Sequence, residues 1–306
     1  MKPVNAFYPS LRFLSAEKIV QASVVSPLVS TDWLQLHLAD ENLVILDGSF
    51  FLPAQQRDAQ AEYLRGHIPG AQFFDIDAVA DHSVPLPHML PSPRQFAEAV
   101  GAMGVGDRTH VIAYDSNDFM ASARLWWTFR VFGHDRVSVL DGGLVKWQAE
   151  GRAVTDEMSL PRKQSFVAGF RPELVRDLGQ MLELIREGGT PILDARSPGR
   201  FTAAEPEPRA GLRGGHIPGS RNLSFRQLLD NDSRSMKSPE VLDGLYRQAG
   251  IDPSMPVVTT CGTGVTAAIL ALALYRLGND QVAVYDGSWT EWGGRGDTPV
   301  SVGEAC

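Results

Sequence analysis

The segment Gly66-His-Ile-Pro-Gly70 returns unchanged as Gly215-His-Ile-Pro-Gly219, and this repetition decides the fold. Two further matches flank it in the same order: Val44-Ile-Leu-Asp47 with Pro191-Ile-Leu-Asp194, and Val137-Ser-Val-Leu-Asp-Gly142 with Val282-Ala-Val-Tyr-Asp-Gly287. Ordered matches at a nearly constant separation indicate that the chain contains two copies of one structural unit.

Each copy alternates short β-branched or aliphatic runs with helical stretches, which predicts an α/β fold of two tandem domains. Each domain should be a mainly parallel sheet flanked by helices. In the second copy, Ile192-Leu-Asp194, Val257-Val-Thr-Thr260 and Val282-Ala-Val-Tyr285 are predicted strands. Residues 266–277 predict a helix that is apolar almost all round, ended by Gly278 and therefore buried.

The same pattern gives expected domain boundaries. Residues 28–155 should form the domain without a catalytic cysteine, residues 156–172 a linker, and residues 173–300 the catalytic domain. The linker assignment depends on mixed charge, Pro161, Gly169 and the absence of periodicity.

Composition narrows the classes of function. The chain has 306 residues and a net charge of −8, so no overall field attracts nucleic acid or an anionic membrane. A small anionic substrate is compatible with this charge if a local basic pocket receives it. No apolar run is long enough to predict a transmembrane helix.

The chain has two cysteines, Cys261 and Cys306, which argues against a disulfide framework. No His or carboxylate partners stand at metal-ligand spacing, so neither a metal nor an organic cofactor is expected. A reducing compartment, the cytoplasm, fits this cysteine usage. The alternative is a mitochondrial location, because the first thirty residues are basic and carry a single acid.

The segment Val257-Val-Thr-Thr-Cys261-Gly-Thr-Gly-Val-Thr-Ala267 predicts a strand, a glycine-containing loop and a helix start. Such a loop can direct several N–H groups and the positive end of a helix toward one centre. A cysteine at that centre should be stabilised as a thiolate and act as a nucleophile. Gly262 and Gly264 should allow backbone angles that other residues resist.

A different interpretation treats Cys261 as a small buried hydrophobic residue, the usual state of a free cysteine. The first copy offers an internal control, because Asp115 follows Val111-Ile-Ala-Tyr114 at the matching place. A carboxylate there should repel an anion, so one copy is expected to be active and the other structural. Both copies have the histidine of His-Ile-Pro-Gly (His67 and His216), which favours a structural role for it.

Together these residues resemble the tandem rhodanese-domain sulfurtransferases, and more closely the 3-mercaptopyruvate sulfurtransferases. The resemblance runs from about residue 28 to residue 300, and Cys261-Gly-Thr-Gly-Val-Thr-Ala267 is its most specific part. It implies that Cys261 takes sulfur from 3-mercaptopyruvate as a persulfide and releases pyruvate. A thiol, thioredoxin or cyanide would then accept the sulfur, with no other partner required and a monomer as the working form.

The resemblance also implies roles for further residues. Arg200 and Arg209 match a substrate-carboxylate clamp, although loop arginines paired with Glu205 and Glu207 are the alternative reading. Substrate would also contact the loop residues Gly262, Gly264, Val265 and Thr266. A proton relay is implied for Asp77, His88 and Thr263, with Thr where some members have Ser.

Three other functions stay open at this point. Thiosulfate is an alternative sulfur donor, but relatives that prefer it place basic residues after the cysteine, where this chain has Gly262 and Thr263. A cysteine phosphatase would need Arg six residues after the cysteine, and position 267 is Ala. A non-catalytic rhodanese-like binding module is the third alternative.

Overall fold

The computed structural model describes residues 25–52 and 55–304. The basic N-terminal segment and Cys306, named above in connection with location and thiol content, lie outside the described residues. Within the described ranges no helix is long and apolar enough to cross a membrane.

The first domain is one five-stranded sheet with helices on its faces. Its elements in chain order are β1 (Leu28–Val29), α1 (Thr31–His37), β2 (Leu43–Asp47), α2 (Ala59–Arg65), β3 (Gln72–Phe73), α3 (Pro93–Ala102), β4 (His110–Tyr114), α4 (Met120–Val131), β5 (Val137–Leu140) and α5 (Gly143–Ala149). The strand order is β1-β5-β4-β2-β3 and every pairing is parallel.

The second domain repeats this plan. Its elements are β6 (Val175–Arg176), α6 (Leu178–Glu187), β7 (Ile192–Asp194), α7 (Pro198–Thr202), β8 (Arg221–Asn222), α8 (Pro239–Gln248), β9 (Val257–Thr260), α9 (Ala267–Arg276), β10 (Val282–Tyr285) and α10 (Ser288–Trp292). The strand order is β6-β10-β9-β7-β8, and every pairing is again parallel. Each strand takes the same place in this sheet as the corresponding strand of the first domain takes in its own. The predicted α/β fold of two parallel-sheet domains is confirmed.

Helices α4 and α9 pack against each other between the two sheets. Every residue of α4 is buried, and so are residues 267–274 of α9. The aromatic ring of Trp126 lies 5.4 Å from that of Tyr275 across this contact. The predicted apolar helix therefore has no polar face because its own sheet covers one side and the other domain covers the opposite side.

Two segments that cross from one domain to the other complete the interface between the domains. We call residues 74–91, which follow β3, the first arm, and residues 223–238, which follow β8, the second arm. In the first arm the N–H of Leu90 donates to Asp286 Oδ2 at 2.9 Å, in the second domain. In the second arm the N–H of Met236 donates to Asp141 Oδ1 at 2.8 Å, in the first domain.

The arms match in backbone conformation as well. His88 has φ 60° and Arg234 has φ 59°, both in the left-handed region. Each stands at the same distance before the serine that caps the next helix, Ser92 in one arm and Ser238 in the other. Each arm thus reaches the loop at the carboxyl edge of the other domain's sheet.

Candidate active site

Cys261 directly follows β9, the central strand of the second sheet, and is fully buried, with 0% of its surface exposed. Its N–H donates to Ser288 Oγ at 3.2 Å, and its carbonyl accepts the N–H of Trp289 at 2.9 Å. The start of α10 therefore holds the cysteine backbone from both sides. Burial of the thiol is also what we expect if Cys261 is a small buried hydrophobic residue. The surrounding loop therefore has to distinguish that interpretation from a nucleophilic cysteine.

The loop after Cys261 has unsatisfied donors. The backbone N–H groups of residues 262–267 donate to no protein acceptor within the described ranges. Gly264 has φ +74°, and Thr266 occupies the N-cap of α9 without a side-chain cap bond. Donors left free at a helix start beside a nucleophile are the arrangement expected of an anion-binding loop.

The role expected of Gly262 needs correction. Its backbone is not in the left-handed region, unlike that of Gly264. A Cβ at position 262 would instead lie 3.1 Å from Arg200 Nη2. A glycine at position 262 thus leaves room for the guanidinium that approaches the loop there. Only Gly264 has the left-handed φ angle that was expected of both glycines.

The corresponding loop of the first domain is filled by its own side chain. Asp115 Oδ1 accepts the N–H groups of Asn117 at 2.9 Å and Phe119 at 3.2 Å. Asp115 Oδ2 accepts those of Ala121 at 3.2 Å and Ser122 at 2.8 Å. The expectation that this carboxylate repels an anion was therefore incomplete, because the carboxylate is itself the anion that the loop holds.

Arg200 lies beside the loop that follows Cys261 and is held by Glu207. Its Nη2 is 2.5 Å from Glu207 Oε2, and the Glu207 side chain is only 1% exposed. The other oxygen of that carboxylate lies 2.7 Å from Nη1 of Arg196, which also pairs with Asp194. The pairing with Glu207 that the alternative reading proposed is present, and it places Arg200 against the loop instead of in solvent.

Arg209 is half-buried and makes no hydrogen bond or ion pair within the described ranges. Loss of solvation lowers the pKa of its guanidinium, repulsion from Arg200 lowers it further, and attraction from Asp77 and Cys261 opposes the change. The guanidinium is therefore close enough to sense Arg200 and Cys261 while its donors stay unused. An unpaired, partly buried cation next to a nucleophile can receive an anionic substrate group.

The structure brings together two members of the expected relay. His88 Nδ1 lies 2.5 Å from Asp77 Oδ1, and the His88 side chain is buried whereas that of Asp77 is about half exposed. The hydrogen bond from His88, with added attraction from its charge and that of Arg209, lowers the pKa of Asp77. In the part of the chain that the structure describes, the buried Nε2 of His88 has no hydrogen-bond partner, and Thr263 is hydrogen-bonded to neither His88 nor Asp77.

The repeated histidines have equivalent structural contacts. His67 Nδ1 lies 2.7 Å from the carbonyl of Tyr63, and the two rings stack. His216 Nδ1 lies 3.0 Å from the carbonyl of Phe201, again with stacked rings. Among the described residues neither histidine is hydrogen-bonded to the Cys261 loop, and the contacts tie each turn to the helix before it.

Sequence reasoning missed three residues that shape this site: Ser288, Glu207 and Arg124. Ser288 follows a strand-end Asp-Gly and gave no signal, while Glu207 appeared only as a competitor for the arginines. Arg124 had a usable signal, since a cation in the otherwise apolar segment Met120–Val131, which also contains Arg130, requires a buried partner. Within the described ranges no three His, Cys, Asp or Glu side chains converge as metal ligands would.

Comparisons with known proteins identify the family of this chain. The rhodanese-like domain model matches residues 30–150 and 177–295. The 3-mercaptopyruvate sulfurtransferase of Escherichia coli K12 is 42% identical over 89% of this chain and 96% of its own. The thiosulfate sulfurtransferase of Rattus norvegicus is also 42% identical, over 91% of this chain and 96% of its own.

A solved structure gives the same result for the fold. The crystal structure of SseA from Escherichia coli, a 3-mercaptopyruvate sulfotransferase, superposes with a TM-score of 0.78 at 39% identity. It covers 87% of this chain and 99% of that chain, so both domains take part in the match. The chain therefore belongs to the rhodanese-like domain family, among the sulfurtransferases built from two such domains in tandem.

Proposed function

We propose that this sulfurtransferase uses 3-mercaptopyruvate as donor and carries the sulfur as a persulfide on Cys261. The observation that carries the proposal is a catalytic loop with no charged side chain from Gly262 to Ala267, next to which stand Arg200 and Arg209. Free N–H donors inside the loop suit a sulfur anion, and the two guanidinium groups outside it suit a carboxylate.

The proposed first step is attack of the Cys261 thiolate on the substrate sulfur. The S–S bond forms as the C–S bond breaks, and the electron pair of that bond leaves as the enolate of pyruvate. The enolate takes up a proton at carbon, and the proton lost from the new persulfide balances it. An acceptor nucleophile then attacks the outer sulfur and returns the thiolate.

Binding of the substrate carboxylate is assigned to Arg200 and Arg209. Glu207 fixes the Nε and Nη2 edge of Arg200, with a closest contact of 2.5 Å, so the remaining donors keep one direction. Arg209 pairs with no carboxylate among residues 25–52 and 55–304, so its full positive charge is available to the substrate, whereas the charge of Arg200 is partly neutralised by Glu207. Gly264, Val265 and Thr266 contribute backbone N–H groups to the transferred sulfur.

Proton transfer to the enolate is assigned to Thr263 with His88 and Asp77. Asp77 fixes Nδ1 of His88, which leaves the buried Nε2 as the group available for exchange. In this proposal a bound substrate connects Thr263 with that pair, to which Thr263 makes no hydrogen bond among the described residues.

Thiosulfate is the second candidate donor, because relatives of both named activities reach 42% identity. The uncharged side chain of Thr263 favours the mercaptopyruvate assignment, since a dianion would gain from a cation directly beside the sulfur.

The test is a pair of initial-rate assays on the purified protein, one with 3-mercaptopyruvate and one with thiosulfate, at one cyanide concentration. Cys261→Ser is the control in both. We expect a strong preference for 3-mercaptopyruvate that the control loses. A preference for thiosulfate would overturn the donor, and activity with neither would favour a binding module.

Further parts of the proposal concern the setting of the enzyme. We assign the sulfur acceptor to a small thiol or thioredoxin, the working state to a monomer and the location to the cytoplasm, with mitochondria as the alternative. The domain boundaries at residues 28–155, 156–172 and 173–300 are retained, supported by a stretch without regular secondary structure at residues 156–171.

A further inference from the structure

Arg124 belongs to the domain that lacks the cysteine, yet its guanidinium lies against the catalytic loop. The side chain is nearly fully buried on α4 and stacks over the ring of Trp127 at 4.4 Å. Nη1 donates to the carbonyl of Gly264 at 3.2 Å. Nη2 donates to the carbonyl of His88 at 2.5 Å and lies 2.7 Å from Asp286 Oδ1.

The contact with Gly264 has a geometric consequence for its neighbour. In a trans peptide the carbonyl of one residue and the N–H of the next point in opposite directions, and no described peptide bond is cis. Holding the Gly264 carbonyl toward Arg124 therefore turns the N–H of Val265 away from it, into the loop. That N–H has no acceptor among the described residues and is one of the free donors of the loop after Cys261.

The contacts with His88 and Asp286 join the first arm to the same guanidinium. Asp286 balances the buried charge with Oδ1, while its Oδ2 accepts the N–H of Leu90 at 2.9 Å. His88 and Leu90 are thus fixed on either side of one buried ion pair. A displacement of Arg124 would move the loop donor and the backbone of His88 together.

We propose that Arg124 is a positioning residue for sulfur transfer, through which the domain without a cysteine orients both the anion-binding loop and His88. This inference rests on the proposed function, since it assigns how that site is held in working geometry. A planar guanidinium with donors in fixed directions can bridge two carbonyls and a carboxylate, which a lysine ammonium cannot do from one place.

Arg130 on the same helix provides a matched control. It too is buried at the domain contact, where its guanidinium lies 3.9 Å from the ring centre of Tyr275, and it pairs with Asp135. Among the described residues it makes no hydrogen bond or ion pair with the Cys261 loop or the first arm. Removing either arginine costs a buried cation at the interface, and only removal of Arg124 releases the Gly264 and His88 carbonyls.

The experiment compares Arg124→Met, Arg124→Lys and Arg130→Met in a Cys306→Ser background, where Cys261 is the single thiol. Each protein is mixed with 3-mercaptopyruvate without acceptor, and the burst of pyruvate is followed from pH 5.5 to 9. Circular dichroism and the melting temperature give the folded fraction of each variant.

We expect Arg124→Met to lower the single-turnover rate roughly 10- to 100-fold and to shift its pH profile. This is less than the roughly 100- to 1000-fold lost when a donor that itself contacts the transition state is removed, because Arg124 acts through the loop. Arg124→Lys should fold well, but its single-turnover rate should still fall by about fivefold or more. A lysine restores the positive charge without the fixed donor directions of the guanidinium that hold the loop. Arg130→Met should keep rate and pH profile within about twofold per folded molecule.

Equal rates for Arg124→Met and Arg130→Met would overturn the proposal, and so would a wild-type rate in Arg124→Lys. If Arg124→Met fails to fold, Arg124→Lys decides. A wild-type protein that releases no pyruvate would instead reject the proposed donor, and the same variants would then be compared with thiosulfate and cyanide.

Discussion

The loop after β4 and the loop after β9 occupy equivalent places in the two sheets and differ in what fills them. In the first, the Asp115 carboxylate accepts the N–H groups of Asn117, Phe119, Ala121 and Ser122. In the second, Cys261 stands at the strand end and the N–H groups of residues 262–267 have no protein acceptor within the described ranges. One loop is closed on an internal anion, and the other is open to an external one.

This comparison shows that the fold provides the N–H donors of both loops, whereas the side chain at the strand end determines what those donors bind. A strand end that turns into a helix directs N–H groups toward the first loop residue in both domains. With a carboxylate there, the donors contribute to stability. With a thiol, the same donors are available to bind sulfur, and the stability that a filled loop provides is given up.

The largest expected effects come from replacing the two strand-end residues by serine. Cys261→Ser should abolish sulfur transfer, at least roughly a thousandfold, because an alcohol forms no persulfide, and the fold should remain. Asp115→Ser should have the opposite effect. Its turnover per folded molecule should be retained, and its free energy of unfolding should fall by about 2–4 kcal/mol. Urea unfolding measures the loss of stability in both variants, and initial-rate assays measure their loss of activity. A catalytic loss in Asp115→Ser that exceeds its loss of folded protein would break the comparison.

The clamp should be specific to the open loop. Arg200→Ala or Arg209→Ala should raise KM for 3-mercaptopyruvate about 10- to 100-fold, near 1.4–2.8 kcal/mol, because a charge-assisted contact to the carboxylate is lost. The control is Arg57→Ala, which removes an arginine paired with Glu62 from the matching segment of the first domain. Steady-state kinetics on all three variants provide the measurement. An effect confined to acceptor turnover would contradict the clamp.

A cation placed inside the open loop should change the donor preference. Thr263→Lys should raise the ratio of thiosulfate to 3-mercaptopyruvate turnover by about fivefold or more, because the dianion gains more from a nearby charge. Thr263 is chosen over Gly262, where a side chain would meet Arg200. Asn117→Lys adds the same charge at the matching position of the closed loop and should leave the ratio unchanged. An equal shift in both variants would mean that net charge, and not its place, sets the preference.

The smallest expected effect is a difference in pH dependence between two carboxylates. Burial raises the pKa of Asp115 above its ordinary value of 3.8, so its contribution to stability falls as pH rises from 3.8. The bond from His88 lowers the pKa of Asp77 below 3.8, so its contribution is present above that pH and is lost in more acid solution.

Unfolding free energies of wild type, Asp77→Asn and Asp115→Asn between pH 3 and 7 test these signs. The deficit of Asp77→Asn relative to wild type should grow as pH rises through the region below 3.8. The deficit of Asp115→Asn should shrink as pH rises above it. Slopes of the same sign would mean that the two carboxyl groups do not differ in environment as described.

Features that depend on local sequence were predicted closely. The strands Ile192–Asp194, Val257–Thr260 and Val282–Tyr285 have the predicted bounds, and the apolar helix was placed within one residue at each end. Strand composition and a stop at glycine are local signals, and the repeat then fixed the topology for both domains at once.

Features that depend on contacts between the domains were not predictable in the same way. Nothing in the sequence near Arg124 indicates that its partners are Gly264, His88 and Asp286, because they lie on segments far apart in the chain. The pairing of Asp141 and Asp286 with arm N–H groups was likewise missed, since strand-end aspartates usually bond to their own turn.

The crossing arms have the contact pattern of an isologous interface, in which one surface meets a second copy of itself. The bond from Leu90 to Asp286 and the bond from Met236 to Asp141 are one contact made twice with the roles of the halves exchanged. The chain therefore has the architecture of a symmetric dimer whose two subunits have become covalently joined. In such an arrangement each half completes its neighbour's pocket, so the carboxylate of Asp115 closes one pocket and leaves the other open. The half without Cys261 still supplies Arg124 and Leu90 to the contacts around the pocket of the other half.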